Sequence, residues 1–203
     1  MSYIFVSQIQ SMLGKPFVII CILSCIVLSS CEENYFPKPR GYFRIEFPDK
    51  KYVPYDPVSC PYKFEAPEYA NMVMDTIGLR EYCWMDVNFP RYRAQLHISY
   101  KTLDGDLEKY LEDSRSLVLK HIAKADAINE IPISNSNGVH GVIYDIKGNA
   151  ASSIQFVATD STKHFIRAAL YFRCAPNKDS LAPVLDFLKP DIAHIINSME
   201  WKN

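Results

Sequence analysis

The sequence predicts an α+β domain in which an antiparallel β-sheet packs against two main helices. Two observations support this class. Apolar and polar residues alternate over several short segments that follow one another closely, as in strands joined by hairpins. Only two longer segments have apolar residues at the three- and four-residue spacing of an amphipathic helix. The resulting order, ββ-α-βββ-α, groups the strands together, which is typical of α+β proteins.

The first two strands are predicted at residues 82–89 and 92–101, on either side of Pro90. One face of the second segment is apolar and consists of Ala94, Leu96, Ile98 and Tyr100. The opposite face is polar and consists of Arg93, Gln95, His97 and Ser99. Because successive side chains of a strand point to opposite faces, this strand is expected to bury only its apolar face.

The first helix is predicted to begin at residues 104–106, where Asp-Gly-Asp provides capping side chains. This tripeptide lacks the further oxygen ligands and the terminal Glu of a calcium loop, so capping explains it better. The apolar stripe of the helix has helical spacing and consists of Leu107, Tyr110, Leu111, Leu117, Val118, His121 and Ile122. We interpret His121 as a half-buried structural residue because it lies on this stripe.

Three further strands are predicted at residues 139–147, 152–159 and 163–173. The residues between them, Gly-Asn at 148–149 and Asp-Ser at 160–161, are typical of tight turns. A last helix is predicted to begin near Asp179 and Ser180, with Pro183 tolerated in its first turn and Pro190 kinking or splitting it. Its apolar stripe consists of Leu181, Val184, Leu185, Leu188, Ile192, Ile195, Ile196 and Met199.

The N-terminal region predicts a lipoprotein signal peptide over residues 1–30, with Met1 or Met12 as its start. Residues 17–28 form an apolar run of 12 after the positive Lys15, which is the length of a signal-peptide core and too short to span a membrane. Leu-Ser-Ser-Cys at 28–31 follows directly and has the pattern of a bacterial lipobox. We therefore expect cleavage before Cys31 and a diacylglycerol on its thiol. The alternatives are an ordinary cleaved signal or a short buried helix.

A spacer rich in proline and aromatic residues is predicted over residues 31–59, before a single globular domain over residues 60–203. Seven prolines lie between positions 37 and 67, so the spacer is stiff and extended, and we expect it to lie down on the domain. Residues 42–47 are a candidate edge strand. The functional alternative is a proline-rich ligand for a partner protein.

Composition excludes some functions and leaves others open. The 203 residues include 48% hydrophobic and 22% charged residues, which suits a domain with a buried core. The net charge is −1 and no basic run occurs, so nucleic acid is not an expected partner. No P-loop, GxGxxG or GxSxG motif is present, and we expect no cofactor.

Cys60, Cys83 and Cys174 remain after removal of the signal peptide and lipidation of Cys31. In an oxidising envelope compartment they allow one disulfide and one free thiol. Cys60–Cys83 is the preferred pair because it would link the proline-rich segment to the first strand of the sheet. A metal site is disfavoured, since no CxxC, HxxxH or other cluster of ligands has zinc-like spacing.

Asp160, Ser161 and His164 supply the side-chain types of a catalytic triad, but the same residues suit a hairpin turn. We favour the turn and expect no enzymatic activity. Ser153 and Gln155 share one face of the strand at 152–159. With Asp160, Ser161 and His164 they form a candidate binding surface, unless helices or the proline-rich segment cover both faces of the sheet.

Several strings along the chain together resemble the GldD gliding-motility lipoproteins of Bacteroidota. After the lipobox these are PKPRGYFR (37–44), CPYKF (60–64), CW (83–84), HIAKAD (121–126), GNAASSIQF (148–156), TDSTKHF (159–165), ALYF (169–172), PN (176–177) and WK (201–202). The resemblance covers nearly the whole mature chain. In architecture, the order of elements also resembles small sandwich domains of the PsbP/Mog1-like class.

The resemblance implies an envelope lipoprotein required for gliding over surfaces and tied to the type IX secretion system, which exports the surface adhesins. It transfers only one functional residue, the lipidated Cys31. We expect a non-catalytic protein on the outer membrane that faces the periplasm and contacts other gliding and secretion proteins. The alternative is a periplasmic enzyme, or a lipoprotein that binds a glycan or another small ligand, with a site near Asp160 and His164.

Overall fold

The computed structural model describes residues 44–74 and 82–202. In chain order, the strands are β1 (Tyr52–Tyr55), β2 (Tyr62–Pro67), β3 (Asn71–Met74), β4 (Met85–Phe89), β5 (Ala94–Thr102), β6 (Ala125–Ser134), β7 (His140–Gly148), β8 (Ser152–Thr159), β9 (His164–Phe172) and β10 (Glu200–Trp201). The helices are α1 (Leu107–Leu119) and α2 (Lys178–Asn197). All strand pairs are antiparallel, so the α+β prediction is confirmed.

The main sheet has seven strands in the order β3-β4-β5-β9-β8-β7-β6. The five strands that the sequence predicted correspond to β4, β5, β7, β8 and β9, and they form the centre of this sheet. No strand was predicted at β6. Only Ile133 of its ten residues is buried, because β6 lies at the sheet edge. It therefore lacks the alternating pattern that identified the inner strands.

A second sheet of three strands, in the order β1-β2-β10, forms from residues near both ends of the described chain. β1 lies within the predicted spacer, and Pro54 fits there because β1 is an edge strand with solvent on one side. The prediction of an edge strand at residues 42–47 is wrong for residues 44–47, which belong to no strand. Residues 42–43 lie outside the described residues. β1 takes the pairing position beside β2 instead.

The two helices pack on opposite faces of the main sheet. α2 and the three-stranded sheet cover the face that carries the largest core, including Phe156, Ile166 and Leu170. α1 covers part of the other face through Val118, the only hydrophobic residue of α1 that is fully buried. The other six residues of the predicted α1 stripe are only partly buried or exposed, and Leu111, Leu117 and Ile122 are the most exposed.

α2 runs without a break through Pro183 and Pro190, so of the kink or split predicted at Pro190, the split is wrong. Pro190 is exposed, whereas the next residue, Asp191, is fully buried and bonded to other elements. Packing of the α2 stripe against the sheet therefore offsets the hydrogen bond that proline cannot donate. The Asn177 side chain accepts a hydrogen bond from Ser180 N and caps the start of the helix.

The predicted signal peptide and Cys31 lie outside the described residues. Within residues 44–74 and 82–202, no helix has the length and apolar character needed to cross a membrane.

Candidate functional site

A cleft of about 810 Å³ opens where the β1–β2 loop, the β8–β9 turn and β10 come together. Asp160 and His164, two of the predicted site residues, line it. Trp201 and the exposed Tyr82 also line the cleft, which therefore has both polar and aromatic walls. Four other cavities among the described residues are smaller, at about 180 to 450 Å³.

Asp160 organises the β8–β9 turn. Its Oδ1 accepts hydrogen bonds of 3.0, 2.8 and 2.8 Å from the N–H groups of Thr162, Lys163 and His164, respectively. Its Oδ2 accepts a bond from the Thr162 hydroxyl. Partial burial alone would raise the pKa of the Asp160 carboxyl, but the backbone hydrogen bonds dominate and lower it to about 2. A carboxylate held in this way is a weak base, which suits a turn better than catalysis.

His164 joins the turn to the core. Its Nδ1 lies 2.8 Å from the hydroxyl of the buried Tyr100, and its ring stacks on Trp201 with centroids 5.0 Å apart. Burial is the main cause that lowers the pKa of His164; the charge of Asp160 opposes the shift and that of Lys163 adds to it. Burial at this position therefore favours the neutral form of the His164 ring.

Cys60, which lines the cleft, forms a disulfide with Cys83, and the two Cα atoms lie 5.4 Å apart. Cys83 has a φ of 59°. Its carbonyl accepts a 2.8 Å bond from the buried Tyr62 hydroxyl, which fixes this backbone. Cys174 is free and exposed.

The third predicted triad residue, Ser161, does not join Asp160 and His164. It has a left-handed φ of 67°, its side chain is exposed, and it does not line the cleft. Among the described residues, no hydrogen bond connects the Ser161 hydroxyl to a histidine. The three side chains are spread around a turn and do not form a nucleophile–base pair.

Ser153 and Gln155 do not line the cleft, and Ser153 lines a separate hollow beside α2. Both are buried, with 8% and 1% exposed, respectively. Gln155 Oε1 accepts a 2.6 Å bond from Arg167 on β9. These two side chains therefore offer no exposed docking surface, and the five candidate residues are not one site.

Two pairs of charged or polar side chains were not predicted from the sequence. On the main sheet, Asp86 Oδ1 lies 2.6 Å from His97 Nδ1, because β4 and β5 place these residues opposite each other. The second pair is formed by Lys50, which precedes β1, and Asp191 on α2, with Nζ and Oδ2 2.6 Å apart. Only strand register could have indicated the first pair, and no local signal indicates the second, which spans 141 residues.

We expect Asp160→Ala to lower the free energy of unfolding by about 1–2 kcal/mol, as for the loss of a helix-capping side chain. Asp160→Asn keeps an acceptor and is expected to lose less. Because the folded pKa lies below that of an unfolded Asp, this contribution is present at neutral pH and is lost as pH falls from about 4 towards 2. Urea denaturation of both variants and wild type at pH 7, 4 and 2 tests this. Equal losses in both variants at pH 7 would contradict it.

The charged side chains that line the cleft suit the binding of a ligand better than a catalytic reaction. Two of these side chains, Lys202 and Asp56, form an ion pair with Nζ and Oδ1 2.6 Å apart, so part of the charge in the cleft is already compensated. Across residues 44–74 and 82–202, no three His, Cys, Asp or Glu side chains are grouped so that they could hold a metal.

Comparison with known proteins finds one matching family model and several similar solved structures, one of which is described here. The family model described as gliding motility lipoprotein GldD matches residues 32–201. No curated protein matches the chain. The solution structure of cyanobacterial PsbP (CyanoP) from Synechocystis sp. PCC 6803 is similar at 11% sequence identity and a TM-score of 0.46, over 86% of this chain and 98% of that chain.

Proposed function

This chain belongs to the gliding motility lipoprotein GldD family, and from that premise we propose that it is a non-catalytic envelope subunit that acts through protein contacts. In this proposal it is anchored by lipid on Cys31 to the outer membrane, faces the periplasm, and supports gliding together with type IX secretion. The match over residues 32–201 is the observation that carries the proposal, since it covers almost all of the chain after the lipobox.

The start of the family match supports the anchor. It begins at residue 32, directly after Cys31, which is where a mature lipoprotein would continue. Each buried acyl CH₂ contributes about 0.8 kcal/mol to membrane affinity, so several chains on one cysteine hold a protein stably at a membrane. The lipobox therefore accounts for envelope attachment without a membrane-spanning helix.

The geometry of the β8–β9 turn supports a non-catalytic role. The Asp160 carboxylate accepts hydrogen bonds from backbone donors, and His164 pairs with Tyr100. Among the described residues, the Ser161 hydroxyl makes no hydrogen bond to either of them. A hydrolase of the serine type needs a nucleophile within hydrogen-bond reach of its base. Contacts with other proteins, which need only a stable folded surface, are the function that best suits these residues.

The first test is an affinity pull-down of the tagged, full-length protein from cell envelopes, beside a Cys31→Ala control. We expect the lipidated protein to retain gliding or type IX secretion subunits, and the control to leave the membrane fraction and lose them. An immunoblot must show that the Cys31→Ala variant is as abundant as the wild-type protein.

A pull-down that recovers the protein alone, although motility requires it, would contradict the proposal. It would favour the second candidate, a lipoprotein that binds a glycan or another small ligand. The observation behind that candidate is the 810 Å³ cleft with Tyr82, His164 and Trp201 in its walls, since pockets lined by aromatic rings and a few polar groups bind small ligands.

A further inference from the structure

β6 is the outermost strand of the seven-stranded sheet and pairs only with β7. It has ten residues, and most of them are exposed. Within the described part of the chain, Ala125 N donates a 3.0 Å hydrogen bond to His121 O, and no backbone hydrogen bond outside the β6–β7 pairing involves residues 126–134. The N–H and C=O groups on that edge can be satisfied only by water or by another extended backbone.

Pro132 shows which residues of β6 turn their backbone outwards. It lies opposite Val142 on β7 and has no N–H to donate. Proline within a sheet occupies positions whose N–H side faces solvent. Antiparallel strands alternate the direction of their backbone groups residue by residue. Ile128 and Glu130 therefore present free N–H and C=O groups, and Pro132 ends the usable edge.

An apolar hollow lies beside β6 on each face of the sheet. On the α1 face, a hollow of about 340 Å³ is lined by Leu119, Ile122, Ile128 and Tyr144 among others. On the α2 face, a hollow of about 180 Å³ is lined mainly by Ile131, Ile143, Ile154 and Ile192. Leu119, Ile122 and Ile131 are 45%, 58% and 46% exposed, respectively. Such a concentration of exposed large apolar residues marks an interaction surface.

The charged residues that line these hollows are paired with one another or with neighbours. Arg115 lies 3.9 Å from Glu130, Lys178 lies 2.6 Å from Asp126, and Lys189 lies 3.2 Å from Asp145. The surface therefore offers an incoming chain no uncompensated charge to bind. An occupant with neutral, apolar side chains matches it better than a charged one.

We propose that β6 binds an extended segment of a different polypeptide, which adds to the sheet as an eighth strand and ends opposite Pro132. Its backbone bonds to Ile128 and Glu130, and its alternate apolar side chains enter the two hollows. Strand addition of this kind obtains affinity from main-chain bonds and specificity from pockets for alternate side chains. The inference rests on the proposed protein-contact function and names the surface that performs it.

The test is photo-crosslinking in living, gliding cells with a photo-reactive phenylalanine at Asn129 of the full-length lipidated protein. Asn129 is exposed in the middle of the usable edge. We expect a crosslink to one partner protein, whose crosslinked segment carries apolar residues at alternate positions. Glu130→Pro removes an outward N–H and is expected to reduce the yield about tenfold. The matched Glu130→Gln keeps that N–H and should stay within about twofold of wild type.

A second pair of variants guards against misfolding of the proline variant. Ile131→Lys places an ammonium in the α2-side hollow and is expected to reduce the yield about tenfold. Val53→Lys is its control, because Val53 is similarly exposed, at 42%, but lies on β1. All variants are compared at equal abundance.

An unchanged yield in both Glu130→Pro and Ile131→Lys would overturn the inference, and so would a crosslink to β6 of a second copy of this chain. A parallel crosslinker at Val58, which is 100% exposed beside the cleft, separates this failure from failure of the proposed function. If Val58 captures gliding or secretion proteins and Asn129 captures none, the function stands and the β6 surface is rejected. If neither position captures a protein, both fail.

Discussion

Replacing Asp191 by alanine is expected to lower the free energy of unfolding by about 3 kcal/mol. Asp191 is 0% exposed within α2. Its oxygens accept hydrogen bonds from Lys50 Nζ at 2.6 Å, from the Tyr52 hydroxyl at 2.9 Å and from the Tyr69 hydroxyl. Removing one partner of a buried ion pair costs about 3–5 kcal/mol, and the low end applies because Lys50 retains 30% exposure to water.

Asp186→Ala is the matched control, since Asp186 is an exposed aspartate on the same helix, and its effect is expected to stay within about 0.5 kcal/mol. The double variant Lys50→Met/Asp191→Leu removes both charges and is expected to lose less than the sum of its single variants. Urea denaturation followed by circular dichroism measures all of them. Equal stabilities for Asp191→Ala and Asp186→Ala would show that the cluster does not hold the fold.

The same cluster predicts a loss of stability at high pH. Burial, followed by the hydrogen bond and the charge of Asp191, raises the pKa of Tyr52 to about 12, and the same causes raise the pKa of Tyr69. A tyrosine whose pKa is higher in the folded state than in the unfolded state stabilises the protein fully at pH values below the unfolded pKa of about 10. This contribution is lost as the pH rises through the folded pKa. Stability is therefore expected to fall between pH 10 and 12, and less steeply in Tyr52→Phe.

This cluster also explains how the proline-rich segment meets the domain. The Phe47 ring stacks on Phe187 with centroids 4.3 Å apart, and Lys50 Nζ lies 3.4 Å from the centre of the Phe187 ring. Tyr52 then begins β1. The segment from Phe47 onwards is therefore attached to α2 and to β2.

The inner strands could be predicted because each has two different environments. β5 buries Leu96 and Ile98 against α2, whereas Gln95 and His97 face the other side, and this asymmetry appears in the sequence as alternation. Most residues of β6 face solvent, so its sequence does not alternate between apolar and polar residues. Its Pro132 also argues against a strand unless the strand is already known to lie at an edge.

The candidate site was only partly predictable because its residues come from distant parts of the chain. The turn chemistry of Asp160 is local, and the sequence identified it correctly as a turn. Trp201 and Tyr82 reach the same cleft only through the pairing of β10 with β2 and the disulfide beside Tyr82. Burial of Gln155 depends on where α1 packs, which the helical pattern of α1 does not specify.

Removing the Cys60–Cys83 disulfide is expected to lower the free energy of unfolding by about 3 kcal/mol. The bridge closes a loop with a sequence separation of 23, and the chain-entropy estimate for a loop of this size is about 3 kcal/mol. Both cysteines are buried, at 2% and 5% exposed, so alanine is a better replacement than serine, whose hydroxyl would be buried without a partner. The effect corresponds to a fall of roughly 1.5 M in the urea midpoint.

Reduction distinguishes loss of the bridge from damage by the substitutions. Dithiothreitol should destabilise the wild-type protein by the same amount as the Cys60→Ala/Cys83→Ala double variant and should leave that variant unchanged. Cys174→Ala is the control, since Cys174 is exposed and unpaired, and it should respond to the reductant as the wild type does. A double variant as stable as the oxidised wild type would mean that the cross-link does not stabilise the domain. The neighbouring bond from the Tyr62 hydroxyl to the Cys83 carbonyl would then be sufficient to position Tyr82 at the cleft.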